Sequence, residues 1–327
     1  MEEHKAKERV SRILEEGCNI LIDKKLPKDV PEWFDEKLFL RGQKYFYNNL
    51  YSMFVSKLIG LILVLSIPTL LDALSLIRKS PDPYNSFKRY IYTFRNVLKW
   101  YEFDVKNFRS KSQMSMAVIY SLHCAACEPY DRSGLGLRVT QKDMALIQFG
   151  LVGLTLLKKK ELSIIGNEED DKSIIHFWRT MGYILGISDQ YNLCEGTLEE
   201  VRTACAFIFE GVYVVSLNKP PAEYNHMIDA LINGLKPISP LLDTDAFLTY
   251  AFELCGIHDS EQRITTRYSR WMYNIQTYTH NVLLSKQWLA FIFRPLLNYT
   301  LMFSLWINSK FPLGLAFRFG TKIISML

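Results

Sequence analysis

Helical spacing of apolar residues is the feature that most constrains the fold of this 327-residue chain. Apolar residues recur at intervals of three and four nearly everywhere, and no stretch alternates apolar with polar residues as a half-buried strand would. There is no internal repeat. Turn-forming residues break the pattern at Pro81–Pro83, Asp131–Gly134, Gly166–Asp171, Lys219–Pro221 and Pro237–Pro240. The sequence therefore predicts an all-α protein of about ten helices.

Three helix starts are marked by polar residues. Thr140 with Asp143, and Thr197 with Glu200, have the spacing of a capping box, in which each side chain accepts a bond from the other residue's backbone N–H. The acidic tract Glu168–Asp171 stands before the helical segment IIHFWRTMGYILGI. We predict that this helix begins after the tract and is stabilised by its negative charge.

The length fits one large helical domain with extensions as well as it fits two domains. We predict a single domain with an N-terminal helical extension over residues 1–50, a core over 51–215, and a C-terminal part over 216–327 packed on the core. Hydrophobic residues make up 49% and aromatic residues 13%, which is enough to line an apolar cavity. The composition favours a small apolar ligand.

Charge and cysteine usage narrow the functional class. The net charge of +5 is small, and no basic run alternates with aromatic residues, so a nucleic-acid partner is excluded. The N-terminal segment MEEHKAKERVSRILEEG is charged and helical rather than a secretory signal, which predicts an intracellular protein. The six Cys are spread along the chain and are predicted to be free thiols in a reducing compartment.

Two regions bear on membrane contact. The apolar run Leu58–Leu71 contains Pro68 and has 14 residues, whereas a span needs roughly 18 to 20. It is predicted to be a buried core helix, and no membrane span is predicted. Glu261 is the last acidic residue, and eight Lys or Arg follow it among many aromatic residues. This C-terminal composition fits peripheral contact with an anionic membrane and a buried basic bundle equally well.

Two helical segments carry the residues that best fit a binding site. The first is RYIYTFRNVLKW, in which Arg89, Thr93, Val97 and Trp100 follow at helical spacing and share one face. A cation beside an apolar stripe suits an acidic group on a flat, apolar ligand.

The second segment is QMSMAVIYSLHCAAC, in which His123 shares a face with Met116, Ile119, Tyr120 and Cys127. A histidine among apolar neighbours needs either a hydrogen-bond partner or a metal. On these residues alone, a hydrogen-bonded core histidine is favoured over a metal ligand.

Taken together, the two segments resemble a known family. Arg89-x-x-x-Thr93, followed 30 residues later by His123, is similar to the haem-binding core of latex clearing proteins, which are rubber oxygenases. Three further stretches resemble the insect branch of the same superfamily, which is named for the MpaB-type endoplasmic-reticulum oxygenase: GLGLRVTQKDMALIQFGLVGL, IIHFWRTMGYILGISDQYNLC and EGTLEEVR. The resemblance covers residues from about Tyr84 to Arg202.

The resemblance implies that residues 51–215 form a globin-like core that binds haem b. His123 would be the proximal ligand of the iron, and Arg89 and Thr93 would lie beside the porphyrin. Trp100, on the face shared with Arg89 and Thr93, is included in the predicted cofactor site. The resemblance also extends the predicted location to the cytoplasmic face of the endoplasmic reticulum.

The same resemblance implies an oxygenase that uses O2 to cleave a carbon–carbon double bond in an isoprenoid or other lipid. Latex clearing proteins have lysine directly before the threonine, and Tyr92 stands there instead, beside Thr93. A tyrosine can donate a hydrogen bond to oxygen or ligate iron. Asp72 is the candidate for the family's acidic base. The change at Tyr92 leaves a second hypothesis open, a non-catalytic lipid-binding or membrane-peripheral protein that kept the fold.

Two other groups have competing interpretations. His176 could line the cavity or form a hydrogen-bonding clamp with Arg179, but a role in helix packing is favoured. The pair Cys124 and Cys127 is followed by Glu128 rather than the histidine of a c-type haem site, and it has no second pair at zinc-site spacing. We interpret the pair as small helical residues that allow another group to approach.

Overall fold

The computed structural model describes residues 1–22, 27, 29–76, 94–102, 104, 106–107, 114–119, 139–257 and 263–310, with residues 73–76 and 309–310 described by their backbone alone. The fold is all-α, as the sequence predicts. Within these ranges the β contacts amount to one isolated bridge between Leu21 and Thr140.

The helices are numbered here in chain order. They are α1 (Glu2–Ser11), α2 (Glu36–Asn48), α3 (Leu50–Leu65), α4 (Pro68–Leu76), α5 (94–102), α6 (114–119), α7 (Gln141–Leu157), α8 (Glu168–Ile184), α9 (Leu198–Ile208), α10 (Val215–Asn218), α11 (Tyr224–Leu235), α12 (Thr244–Leu254), α13 (Arg267–Tyr278) and α14 (Gln287–Lys310). Short π-helical segments at Arg12–Glu16, Phe209–Val214 and Thr279–Leu283 continue α1, α9 and α13.

Helix α3 forms the centre of the core. It is buried along nearly its whole length, which confirms the predicted burial of the apolar run that starts at Leu58. The run is not one helix, however, because α3 ends at Leu65 and α4 begins at Pro68. Proline is well tolerated in the first turn of a helix, where the missing N–H would have no intrahelical partner, but not in a helix interior.

A buried asparagine fixes the corner between α2 and α3, which meet at 94°. The Asn49 side-chain amide donates to the carbonyls of Tyr45 and Ile165, at 3.2 and 2.8 Å. Its carbonyl oxygen accepts from the Ile165 N–H at 2.9 Å and from the Arg294 guanidinium at 3.0 Å. The corner is thereby tied to the loop after α7 and to α14.

Helices α3 and α7 touch through their backbones. A Cβ placed on Gly60 would lie 1.8 Å from the Gly150 carbonyl oxygen, so no side chain fits at this crossing. A little more than one turn further along the interface, the hydroxyls of Ser56 and Thr155 form a hydrogen bond of 3.1 Å. Glycine is required at Gly60 because the close approach leaves no room for any larger residue.

The predicted helix starts are confirmed at two positions and shifted at the third. Capping boxes begin α7 at Thr140 and α9 at Thr197. Helix α8 begins at Glu168, so the acidic tract lies inside the first turn rather than before the helix. The reason is a third capping box, in which Asn167 and Asp170 bond each other's backbone N–H at 3.0 and 2.9 Å.

Helix α14 corrects the expectation that no segment is suited to cross a membrane. Residues Gln287–Asn308 are long and apolar enough to do so, and 17% of the most apolar stretch is buried. In the described part of the chain α14 is the single helix with these properties, and α2 with α3 would share them only as one bent segment. The sequence pattern is easily missed because Arg294 and Pro295 interrupt the apolar run.

The division into residues 1–50, 51–215 and 216–327 stays a prediction. Helix α2 packs closely on α8, where a Cβ on Gly42 would lie 2.6 Å from the Ser173 carbonyl oxygen. Helix α14 contacts the α2–α3 corner through Arg294, as described above.

Candidate functional site

An apolar cavity of about 200 Å³ lies between α3, α5, α6, α7, α8 and α11. Most of its wall consists of aliphatic and aromatic side chains and glycine. The lining residues are Phe54, Lys57, Leu58, Leu61, Val64, Phe94, Val97, Trp100, Ile119, Met144, Ile147, Gln148, Gly150, Leu151, Trp178, Gly182, Leu185, Ile187, Leu231 and Leu235. A concave, apolar site with few polar groups is typical of small-molecule binding.

The predicted binding faces of α5 and α6 form part of this wall. Val97 and Trp100, which the helical spacing places on the face of Arg89 and Thr93, both line the cavity. Ile119, placed by the same reasoning on the face of His123, lines it as well. The segments that lead into the predicted haem residues therefore border the cavity.

Trp100 joins the two helices. It is almost fully buried, and its indole N–H donates to the Ser115 hydroxyl at 3.1 Å. That hydroxyl donates in turn to the side-chain oxygen of Asn96 at 2.9 Å. The indole nitrogen is thus satisfied by the fold, and the ring presents an apolar surface to the cavity.

The other predicted site residues are distributed as follows. Arg89, Tyr92, Thr93 and His123 lie outside the described residues, as do Cys124 and Cys127. Asp72 lies on α4, exposed and outside the cavity lining.

His176 serves helix packing, as favoured by the sequence. Its Nε2 accepts a hydrogen bond from the Asp35 N–H at 2.9 Å, directly before α2. Arg179 does not form a clamp with it. The guanidinium instead forms two bonds with the Asp189 carboxylate, at 2.9 and 2.6 Å, and stacks on Trp33 with its central carbon 4.1 Å from the ring centroid.

Lys57 is a cation in this apolar wall. Lys57 is 7% exposed, and its ammonium donates to the Leu151 carbonyl at 2.9 Å. The ammonium lies 5.4, 5.9 and 5.5 Å from the ring centroids of Phe46, Tyr101 and Trp178. Burial lowers the pKa of Lys57 from its ordinary value of 10.5 to about 7.

Gln148 is the other long polar side chain on the wall. Both its amide nitrogen and its amide oxygen form hydrogen bonds within the protein. Its amide nitrogen donates to the Trp178 carbonyl at 2.8 Å and to the Asn192 side chain at 2.9 Å. Its oxygen accepts from the Leu193 N–H at 3.0 Å. Gln148 therefore holds α7 against the loop after α8, whereas Lys57 keeps donor capacity for a ligand.

Comparison with solved structures gives one informative likeness. The chain is similar to latex clearing protein in its closed state, with a TM-score of 0.60, over 85% of this chain and 76% of that one. This chain has the latex clearing protein fold. The sequence identity is 14%, so the likeness shows the fold alone. No protein-family model matches the sequence, and no curated protein matches it.

Haem b is the cofactor implied by the resemblance to latex clearing proteins, and the described wall fits it. The faces of a porphyrin need flat apolar contacts, which Phe94, Trp100, Ile119 and Trp178 supply from three helices. The described residues contain no group of three His, Cys, Asp or Glu side chains placed to hold a metal ion without haem. Trp100 is the one predicted haem contact among the described residues, and it lies on this wall.

Lys57 lies on the cavity wall, and the sequence analysis did not identify it as a candidate site residue. A signal was available, because Lys57 is the one charged residue in the segment LYSMFVSKLIGLILVL. Because Lys57 directly precedes the apolar run that starts at Leu58, it can be taken for the end of a polar segment. Read as a charge in the middle of a buried helix, it indicates a functional group.

Proposed function

We propose that this chain is a haem b-dependent oxygenase of the insect-like branch of the superfamily, cleaving a carbon–carbon double bond in an isoprenoid or other lipid with O2. The observation that carries the proposal is the apolar cavity, whose wall includes the residues adjoining Thr93 and those one turn before His123. The latex clearing protein fold supports it. An apolar cavity suits both a porphyrin and a hydrocarbon chain.

The roles proposed for the residues are those that the resemblance to latex clearing proteins implies. His123 would hold the iron, and Arg89 would pair with a propionate. Trp100 and the apolar side chains on the opposite wall would exclude water from the reacting carbons. Tyr92 and Thr93 would offer hydroxyl donors to the bound oxygen or substrate. Asp72 does not fit the role of base, because it is exposed and lies outside the cavity lining. When bound, haem supplies the oxygen activation that no side chain provides.

An absorbance spectrum tests the cofactor. Purified protein, or protein titrated with hemin, should show a Soret band at one haem per chain. The band should be lost or severely weakened in His123→Ala and retained in His226→Ala, a matched control because His226 is exposed and has no place on the cavity wall. A folded wild-type protein that rejects hemin would contradict the proposal.

Oxygen consumption tests the activity separately from the cofactor. Haem-loaded protein should consume O2 when an isoprenoid is added and release carbonyl products of shorter chain length. Haem binding without oxygen uptake across isoprenoids of different length would instead support a non-catalytic lipid carrier.

A second candidate function, a membrane-peripheral lipid-binding protein, is favoured by the exposed face of α14. This helix presents several large apolar side chains to solvent, with exposed fractions of 69% at Trp288, 84% at Phe291 and 75% at Tyr299. An apolar face of this extent, with indole and phenol rings, is typical of a helix that lies in a bilayer interface.

The charge on α14 points the same way. Arg294 is the one charge in residues 287–309, and it is turned inward, where it donates to Asn49, Ser163 and Leu284 at 2.8 to 3.1 Å. The outward face is left uncharged, while Arg267, Arg270 and Lys286 lie in and after α13. An uncharged apolar face with basic residues nearby is complementary to an anionic lipid surface.

Vesicle flotation tests this second candidate. Wild-type protein should float with vesicles containing anionic lipid, and Trp288→Ser with Phe291→Ser should abolish flotation without lowering thermal stability. Leu241→Ser, at a residue 56% exposed on another part of the surface, is the matched control and should float like wild type. Equal flotation of both variants would contradict membrane docking through α14.

The intracellular location stays a prediction.

A further inference from the structure

Lys57 lies on the stripe of α3 that faces the cavity. Phe54, Leu58, Leu61 and Val64 on the same helix line the cavity with it, at the spacing of one helical face. The distance along the helix from Lys57 to Val64 is roughly 10 Å at 1.5 Å per residue. The stripe therefore combines one cationic group with an apolar track that leads away from it.

The ammonium is incompletely paired within the described part of the chain. No described Asp or Glu forms an ion pair with Lys57, and the Leu151 carbonyl is its one described hydrogen-bond acceptor. An ammonium has three N–H donors, and here the other two have the faces of aromatic rings around them. Cation–π contacts offset part of the cost of burial, but they do not replace a carboxylate.

We propose that Lys57 binds the terminal carboxylate of a long apolar ligand, an aliphatic or isoprenoid acid, whose tail lies along the Phe54, Leu61 and Val64 side of the cavity. A carboxylate would supply the counter-charge and the acceptors that the ammonium lacks, and the tail would contact the apolar wall. The status of this ligand as substrate rests on the proposed oxygenase function. Its binding does not, and is measured without haem.

The proposal implies a pH dependence. Burial lowers the pKa of Lys57 to about 7, so the free protein loses the positive charge as the pH rises through neutrality. The groups around the ammonium are Phe46, Tyr101 and Trp178, together with the Leu151 carbonyl, and among these Tyr101 alone titrates. Burial raises the pKa of Tyr101 well above 10, so it stays neutral in this range. Affinity for a carboxylate should therefore fall above pH 7, by up to about tenfold per pH unit.

The experiment compares dodecanoic acid with its methyl ester, measured by calorimetry on the full chain without added haem. Wild-type protein should bind the acid about 10- to 100-fold more tightly than Lys57→Met does, the range expected for a hydrogen bond to a charged group. The ester should bind both proteins within about twofold. Lys160→Met, at an exposed lysine outside the cavity, is the matched control and should bind the acid like wild type.

Several outcomes would overturn the inference. They are equal affinity of wild type for acid and ester at pH 6, an acid affinity that does not change between pH 6 and pH 9, unchanged acid binding in a folded Lys57→Met, and no binding of either ligand. If Lys57→Met fails to fold, the wild-type comparison of acid with ester and its pH profile decide alone. Failure of the proposed function shows separately, as absence of a Soret band with hemin.

Discussion

Two lysines pack against the helix pair α7 and α8, and their surroundings differ. Lys159 follows the end of α7 and pairs with Asp171 in the first turn of α8, at 2.7 Å. Lys57 reaches the same two helices at Leu151 and Trp178. Trp178 lies about two turns after Asp171, so one helix pair contains both environments.

The Asp171 environment is fully neutralised. Its buried carboxylate accepts from Lys159 and Arg202, both at 2.7 Å, and from the Tyr45 hydroxyl at 3.1 Å. Burial, together with the charge of Asp171, raises the pKa of Tyr45 far above its ordinary range, so the phenol stays a donor. Three donors from three segments converge on one carboxylate and fasten α2, α8 and α9 together.

The two sites differ in what the buried charge does: the Asp171 cluster stabilises the fold, whereas Lys57 is a candidate for ligand binding. A buried charge that serves the fold is given several partners, of opposite charge as at Asp171 or neutral oxygens as at Arg294. Lys57 has a comparable depth of burial with one such partner among the described residues, the Leu151 carbonyl, and it faces a cavity. Natural proteins tolerate that arrangement where a ligand completes it, which makes perturbed ionisable groups in cavities functional candidates.

The largest effect is expected from breaking the neutralised site. Asp171→Asn keeps the shape but removes the charge, which leaves Lys159 and Arg202 without their shared partner. We expect the free energy of unfolding to fall by about 3–5 kcal/mol, measured by urea denaturation. A loss below about 1 kcal/mol would show that the cluster does not fasten the fold.

Lys57→Met is expected to have the opposite sign. The pKa of Lys57 is about 7 in the folded protein and about 10.5 in the unfolded chain. Between these two pH values the unfolded state binds more protons than the folded state. Wild-type stability therefore rises with pH in this range. The slope from Lys57 is at most about 1.4 kcal/mol per pH unit.

Without this titration, Lys57→Met should be more stable than wild type at pH 7, and its advantage should shrink by pH 9. Parallel urea titrations at the two pH values give the difference. A variant that is less stable than wild type at pH 7 would mean that the fold needs the ammonium.

A smaller loss is expected from Lys159→Met, because Arg202 still neutralises Asp171. The change removes one charged hydrogen bond, so we expect unfolding to become easier by about 1.5–3 kcal/mol. The result should fall between wild type and Asp171→Asn in the same denaturation series. A loss as large as that of Asp171→Asn would assign the whole effect to Lys159.

The smallest effect is expected at Lys172, which is next to Asp171 in sequence but exposed. It pairs with Glu168 and Glu169 at 3.3 and 2.8 Å on the surface of α8. Solvent screens such pairs, so Lys172→Ala should leave the denaturation midpoint unchanged at high salt. A clear shift at high salt would show that these surface pairs matter to α8.

Much of the fold was predictable because it depends on local chemistry. The capping boxes at Thr140 and Thr197 involve residues three apart, and the faces that carry Val97 and Ile119 follow from helical periodicity. Helix α8 begins earlier than predicted because the Asn167 side chain caps it. The apolar pattern, on which the prediction was based, does not indicate a polar capping residue.

The pairing of buried charges was not predictable, because it depends on contacts between distant segments. Nothing near Asp171 in sequence indicates that Arg202 bonds to it, and nothing near Lys57 shows that its neighbours are Tyr101 and Trp178. The outward face of α14 is a similar case, since the inward turn of Arg294 depends on the Asn49 corner.

The contact between Gly60 and Gly150 has a consequence for how the cavity could change. Because the two backbones already touch, α3 and α7 cannot move closer, and no substitution at Gly60 could make the cavity smaller without pushing them apart. The crossing of α3 and α7 therefore fixes the position of this side of the cavity. Relatives with different ligands would have to alter the opposite walls, at Phe94, Leu231 or Leu235, where side chains rather than backbone set the width.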